Sequence, residues 1–204
     1  MKIVIITGLS GAGKSNALRY FEDCGYYCID NMPPELLQSV AQFIVNADKV
    51  VSKIAVAIDI RSGELYSKLS QSVMSLRASE ADVRVIFIDA DDDALVKRYK
   101  ETRRRHPLDE EASGSLYKAI ELERRATLGA KEIADYYIDT THTSTSDFRQ
   151  RLTELFHDED GEMIINVISF GFKYGVPKDA DLVFDVRCLP NPFYVPELKN
   201  KTGL

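Results

Sequence analysis

The sequence predicts an α/β fold, a doubly wound parallel sheet followed by the start of a second, incomplete domain. Three observations predict it. Short apolar runs alternate with stretches whose apolar residues recur at helical spacing. Residues 8 to 15 read Gly-Leu-Ser-Gly-Ala-Gly-Lys-Ser, between the first apolar run and the first helical stretch. Past residue 162 the texture changes, to strand-like runs that no helix pattern follows.

The first strand is Lys2 to Thr7, and the helix after the loop carries Ala17, Leu18 and Phe21 on one face and stops at Gly25. Tyr26 to Asp30 reads as the second strand. Met32-Pro33-Pro34 opens a helix with Leu36, Leu37, Val40, Phe43 and Ile44 in register; proline suits a helix start because its missing N–H has no partner there. Lys53 to Ile60 is continuously apolar, as buried parallel strands are. A polar helix is expected from Gly63 to Ala78, and Val83 to Asp89 is the fourth strand. Asp91, Asp92 and Asp93 cap the next helix, where negative charge suits the dipole. Thr102 to Gly114 reads as a mobile segment, Leu116 to Leu128 as a helix, Tyr136 to Asp139 as the fifth strand and Ser144 to Phe156 as the last helix.

Five such units make a domain over residues 1–157, with its ligand edge at the carboxyl ends of the strands. The acidic stretch 158–161 reads as a linker. Residues 162–204 read as the N-terminal part of a truncated second domain, with strands at Met163–Phe172 and Leu182–Val186. Some forty residues are fewer than an independent core usually needs.

The 204 residues are 45% apolar and carry a net charge of -6, which argues against a surface that coats nucleic acid, although a local basic patch is compatible with it. Cys24, Cys28 and Cys188 match no zinc spacing, and Cys24 and Cys28 read as packing residues of a reduced, cytoplasmic protein. The first strand runs directly into the loop, so no signal peptide is expected, and no apolar run approaches the ~20 residues of a membrane span.

The chemistry is concentrated in the loop. Gly8, Gly11 and Gly13 let the backbone curl, and the amides of Gly8, Leu9, Ser10, Gly11, Ala12, Gly13, Lys14 and Ser15 line an anion-binding concavity at a helix N-terminus. Lys14 is expected on the β- and γ-phosphates and Ser15 on Mg²⁺. Two apolar strands end in carboxylates, Asp59 and Asp89. Asp59 is preferred for the metal, because the third strand of small phosphate-loop folds commonly lies beside the first; the alternative for either is a helix cap. Arg61 is placed to face the same cleft. Asp30, ending the second strand, is a candidate general base or a helix cap. Arg103 and Arg104, in the run Arg103-Arg104-Arg105-His106, are candidates to close over phosphates, or form a solvated helix end.

These pieces, with Tyr27-Cys28-Ile29-Asp30-Asn31-Met32-Pro33, Ile58-Asp59-Ile60-Arg61, Phe87-Ile88-Asp89 and above all Ser169-Phe170-Gly171-Phe172-Lys173-Tyr174-Gly175, resemble the RapZ/YvcJ family of nucleotide-binding proteins. The resemblance extends through Phe184-Asp185-Val186-Arg187 to Thr202-Gly203-Leu204 and covers nearly the whole chain. It implies a kinase-like P-loop NTPase fold, ATP at Gly8 to Ser15, and a GTP-associated segment at Asp59, Ile60, Arg61 and Ser62, the last often Asn in the family. It also implies weak hydrolysis and, in some relatives, small regulatory RNAs presented to an endoribonuclease in the control of amino-sugar metabolism. Most RNA contacts are then expected beyond Leu204, and the full-length protein is expected to be a homo-oligomer without a membrane partner. The competing reading from the residues alone is a small-molecule kinase of the adenylate- or gluconate-kinase type, which has no use for the 169–175 segment.

Overall fold

The structure, a computed structural model, describes residues 1–46, 52–79, 81–156, 169–171, 176, 182–185, 188, 194, 196–197 and 199, with 43–46, 62, 64 and 65 described by backbone alone. The chain divides into two compact units, Met1–Asp158 and Glu159–Leu204.

The first unit is a five-stranded parallel sheet in the order β2-β3-β1-β4-β5. Its strands are β1 (Lys2–Gly8), β2 (Tyr27–Ile29), β3 (Lys53–Ala57), β4 (Asp82–Asp89) and β5 (Tyr136–Asp139). The helices are α1 (Lys14–Asp23), α2 (Leu37–Asn46), α3 (Leu69–Arg77), α4 (Asp92–Thr102), α5 (Leu116–Ala126), α6 (Leu128–Glu132) and α7 (Thr145–Phe156). β1 is central, paired with β3 through Ile6–Ala57 and with β4 through Gly8–Ile88. Its side chains alternate between faces, as the period of a strand requires. Ile3 and Ile5 join Leu37, Ala41, Leu69, Val73 and Leu76 in one core; Val4 and Ile6 join Ala17, Phe21, Leu95, Ile120, Phe148 and Leu152 in the other. Helices therefore cover both faces of the sheet, and the fold is the doubly wound one that the alternating pattern predicts.

Several boundaries differ from the sequence reading, α2 beginning at Leu37 after a 3-10 turn at Pro34–Leu36 among them, and three have plain local reasons. β3 stops at Ala57 rather than Ile60, because Asp59 caps a 3-10 helix at Ile60–Lys68, its Oδ1 accepting the Arg61 N–H at 3.1 Å. That 3-10 helix bends at Gly63 (φ 59°), so the expected helix from 63 to 78 begins as α3 at Leu69. The helix from Leu116 is interrupted at Thr127, whose hydroxyl donates to the Glu123 carbonyl at 2.9 Å.

In the second unit, Leu182–Asp185, read as part of a strand, adopt no strand, and Leu182 and Phe184 are both 76% exposed. A strand needs a ladder to a neighbouring strand, and the sheet among the described residues does not include this run. The proposed linker 158–161, most of the Met163–Phe172 strand and the Phe172–Gly175 stretch lie outside the described residues.

Candidate functional site

The site is built where β1 ends. Gly8 has φ +125°, and a Cβ there would lie 2.0 Å from the Ile88 carbonyl oxygen on β4. The close approach lets the next amide, Leu9 N–H, bond that same oxygen at 3.0 Å. Gly11 and Gly13 also have positive φ, and Gly13 is the N-cap of α1. The loop thus delivers Lys14 and Ser15 as the first residues of a helix, with the partial positive charge of that terminus behind them.

Lys14 is buried. Its ammonium donates to the Gly8 carbonyl at 2.8 Å and lies 3.1 Å from Asp59 Oδ2. Asp59 comes from the loop after β3, so this pair joins the ends of two neighbouring strands. Burial pushes the Asp59 carboxyl up, but the Lys14 ammonium, the Arg61 N–H and the Arg61 guanidinium at 3.9 Å outweigh it, and the group sits below its ordinary range. The other candidate carboxylate is placed differently. Asp89 accepts from Arg124 at 2.9 Å, Tyr137 at 2.9 Å, Lys131 at 3.3 Å and the Ala90 N–H at 2.8 Å. Its side-chain partners lie on α5, α6 and β5, and Lys14 is not among them.

The outer wall of the loop is held by side chains distant in sequence. Arg98 on α4 donates to the Gly11 carbonyl at 3.1 Å and to Thr140. The Thr140 hydroxyl donates to the Ala12 carbonyl at 2.7 Å. Thr7 and Tyr66 share a hydrogen bond of 2.7 Å, and burial pushes the Tyr66 phenol upward. Ser10 binds the Glu123 carboxylate through both its N–H and its hydroxyl. Tyr99 closes over Gly11, and burial raises its phenol to about 12, with the Glu123 charge adding to the effect.

Several expected residues take other positions. Asp30 is exposed, its Oδ1 accepting the N–H of Asn31, which sits at φ 51°. Arg103, in a left-handed conformation at the end of α4, and Arg104 are both exposed. Among the described residues the arginine that bonds the phosphate loop is Arg98. The segment from Thr102 to Gly114, read as mobile, is anchored: His106 is buried, and the turns after it close through Asp109 N–H to His106 O at 3.0 Å and Gly114 N–H to Asp109 O at 2.9 Å. Cys24 is exposed rather than packed, and Cys24, Cys28 and Cys188 are all free thiols. The Ser62 side chain lies outside the described residues, while Ile60 is buried and Arg61 exposed. No helix among the described residues is long and apolar enough to cross a membrane. Among them, too, no group of three or more His, Cys, Asp or Glu side chains is arranged to hold a metal. That does not exclude Mg²⁺ at a phosphate loop, where few protein ligands and several phosphate oxygens suffice.

Sequence reasoning missed Glu123, Thr140, Tyr66 and the contact of Arg98. Glu123 lies one turn before Thr127 in a charged stretch that reads as a solvated face, and no local signal marks it.

Comparison with known proteins places the chain. The RapZ-like N-terminal domain matches residues 1–160, and the RapZ C-terminal domain matches residues 163–204. A protein of Caldicellulosiruptor saccharolyticus named a nucleotide-binding protein is 50% identical over 205 residues, covering 100% of this chain and 70% of that protein. A namesake in Caldicellulosiruptor bescii is 48% identical with the same coverage. Among solved structures, shikimate kinase from Acinetobacter baumannii in complex with shikimate aligns over 75% of this chain and 91% of its own at 14% identity, with a TM-score of 0.49. Both family models and relatives matched along their whole shared length lead to one assignment: the chain belongs to the RapZ-like family.

Proposed function

We propose that the chain is a regulatory nucleotide-binding protein that holds ATP at Gly8–Ser15 with Mg²⁺ and hydrolyses it weakly. The observation that carries this reading is the position of Lys14, whose ammonium lies between the Gly8 carbonyl and Asp59 at 2.8 and 3.1 Å. A cation held at the mouth of an amide-lined loop is free to exchange those partners for phosphate oxygens. Ser15 and Asp59 would hold Mg²⁺, which supplies charge neutralisation between the β- and γ-phosphates. Asp59 fits that role because its neighbours keep it ionised, whereas the Asp89 oxygens are engaged by Arg124, Lys131 and Tyr137. The naming of relatives as nucleotide-binding proteins supports the same reading.

GTP is proposed as a second ligand associated with Asp59, Ile60, Arg61 and Ser62. Small regulatory RNA and an endoribonuclease are proposed as partners of the full-length, homo-oligomeric cytoplasmic protein, mostly through sequence that relatives carry beyond the matched region. The proposed division is a nucleotide domain at 1–157, a linker at 158–161 and a second domain from 162.

Titration calorimetry with Mg·ATP tests the core of this reading. Lys14→Ala removes a charged donor from the phosphates, and the expected loss is at least about tenfold in affinity, within the ~1.5–3 kcal/mol of a charged hydrogen bond. Equal affinity of variant and wild type overturns it.

A second reading, a small-molecule kinase, is favoured by Asp30, an exposed carboxylate at the end of β2 beside Asn31 at φ 51°. Labelled ATP offered with sugars and nucleosides separates the two. Rapid transfer to one acceptor selects the kinase, and slow release of phosphate alone selects the regulator.

A further inference from the structure

Glu123, on α5, has no exposed side-chain surface, and neither has His106. Its carboxylate joins two segments far apart in the chain. On one side Ser10 donates its backbone N–H to Oε1 and Oε2 at 3.0 and 3.1 Å and its hydroxyl to Oε1 at 2.7 Å. On the other, His106 Nε2 lies 2.9 Å from Oε2. The Leu108 N–H donates to His106 Nδ1 at 3.1 Å, so the ring proton sits on Nε2 and points at Glu123. Tyr99 packs on the same assembly, its ring centroid 5.2 Å from that of His106.

A carboxylate this deeply buried is costly unless donors meet its oxygens, and here three do. The arrangement also selects amides. Because the Ser10 N–H is turned to Glu123, it is withdrawn from the concavity, as are the N–H groups of Leu9 and Ala12, which bond the carbonyls of Ile88 and Leu9. Nothing in the nucleotide reading uses Glu123 or His106. They touch neither Lys14 nor Asp59 in the contacts described, yet His106 directly follows Arg103, Arg104 and Arg105.

We propose that Glu123 and His106 are positioning residues that set the conformation of the phosphate loop and couple it to the arginine-bearing segment. Displacing that segment pulls His106 from Glu123, frees Ser10 and loosens the loop. The effect on nucleotide affinity rests on the proposed nucleotide site; the effect on the loop itself does not.

Hydrogen exchange on the full 204-residue chain tests the coupling, with Mg·ATP calorimetry alongside. His106→Leu removes the donor to Glu123 and the acceptor for Leu108. It is expected to speed exchange across residues 8–15 about tenfold and to weaken Mg·ATP about tenfold, while a peptide from β4 stays protected. His106→Gln, which retains a donor, is expected to recover most of both effects. Coupling is reciprocal, so Ser10→Ala should speed exchange across residues 104–112. Unchanged exchange at 8–15 in folded His106→Leu overturns the proposal. So does faster exchange that is uniform through β4, the mark of general destabilisation. Should His106→Leu fail to fold, the Ser10→Ala arm decides, and no change at 104–112 overturns the proposal. If wild type binds no Mg·ATP, the nucleotide reading falls and the exchange result alone settles the positioning role.

Discussion

The hydroxyl of Thr140 lies 2.7 Å from the carbonyl oxygen of Ala12, a residue 128 positions earlier in the chain. Thr140 follows β5, an edge strand, and Ala12 sits in the loop after the central one. The bond closes a path from the sheet edge to the loop, and Arg98 doubles it by reaching both Thr140 and the Gly11 carbonyl. Thr140→Val keeps the shape and deletes the hydroxyl. The expected cost is about 1–3 kcal/mol, because a buried carbonyl and a guanidinium each lose a partner. Urea unfolding of the two proteins measures it, and an unchanged midpoint shows that the bond carries no stability.

Gly8→Ala should be among the most damaging single-methyl additions in the first unit. The new Cβ would meet the Ile88 carbonyl oxygen at 2.0 Å, and φ +125° is closed to alanine. Backbone atoms of two paired strands cannot yield as a side-chain tip can. The expected penalty is on the order of 4 kcal/mol, from overpacking and backbone strain together. Circular dichroism melting will register it as a large drop in midpoint or as loss of folded protein; a drop of a degree or two contradicts the account.

Asp59 gives the first unit an acid-dependent component of stability. Its carboxyl is held below the ordinary range in the folded state despite burial. A depressed folded value means that the stabilisation is fully present above the unfolded value, about 3.9, and drains away as pH falls through the folded one. Thermal midpoints of wild type should therefore fall more steeply below about pH 4 than those of Asp59→Asn. Parallel curves for the two proteins rule this out. In the same variant the Mg²⁺-dependent part of ATP affinity should vanish, whereas Asp89→Asn should retain it if folded.

Cys28 should resist alkylation when Cys24 and Cys188 do not. Burial raises its thiol to about 11, the Glu22 charge adds to the shift, and the Sγ–H faces the Leu18 carbonyl at 3.4 Å. At pH 8 only about one part in a thousand is then thiolate, the reactive form. Cys24 and Cys188 are exposed. Iodoacetamide followed by peptide mapping should label these two first, and equal labelling of all three is the contrary result.

The curl of the chain over residues 8–15 was legible because its causes are local. Three glycines, a lysine and a serine within eight residues dictate a curled backbone at a helix start, whatever the rest of the chain does. The strands were legible too, since runs such as Val85-Ile86-Phe87-Ile88 are apolar on both faces. What encloses the loop was not. Glu123 is flanked by Leu122 and Arg124, and its burial depends on Ser10 and His106, 113 and 17 residues away. The different settings of Asp59 and Asp89 were not legible, because β3 and β4 both flank β1. The partners that separate them, Lys14 for one and Arg124, Lys131 and Tyr137 for the other, become visible only once helices are packed. The end of β3 was misjudged because Ile58 and Ile60 continue the apolar run, while the Asp59 side chain bonds the Arg61 N–H and turns the chain away.

Two of the acids at the edge of the sheet are already neutralised, which bears on how quickly a polyanion arrives. Arg124 and Lys131 quench the long-range field of Asp89, and Lys14 quenches most of that of Asp59. An incoming polyphosphate therefore meets not these two but Asp30 and Asp139, exposed at the same edge, in a molecule whose overall charge is -6. Encounter rates should consequently rise with ionic strength, as salt screens that repulsion over ~10 Å.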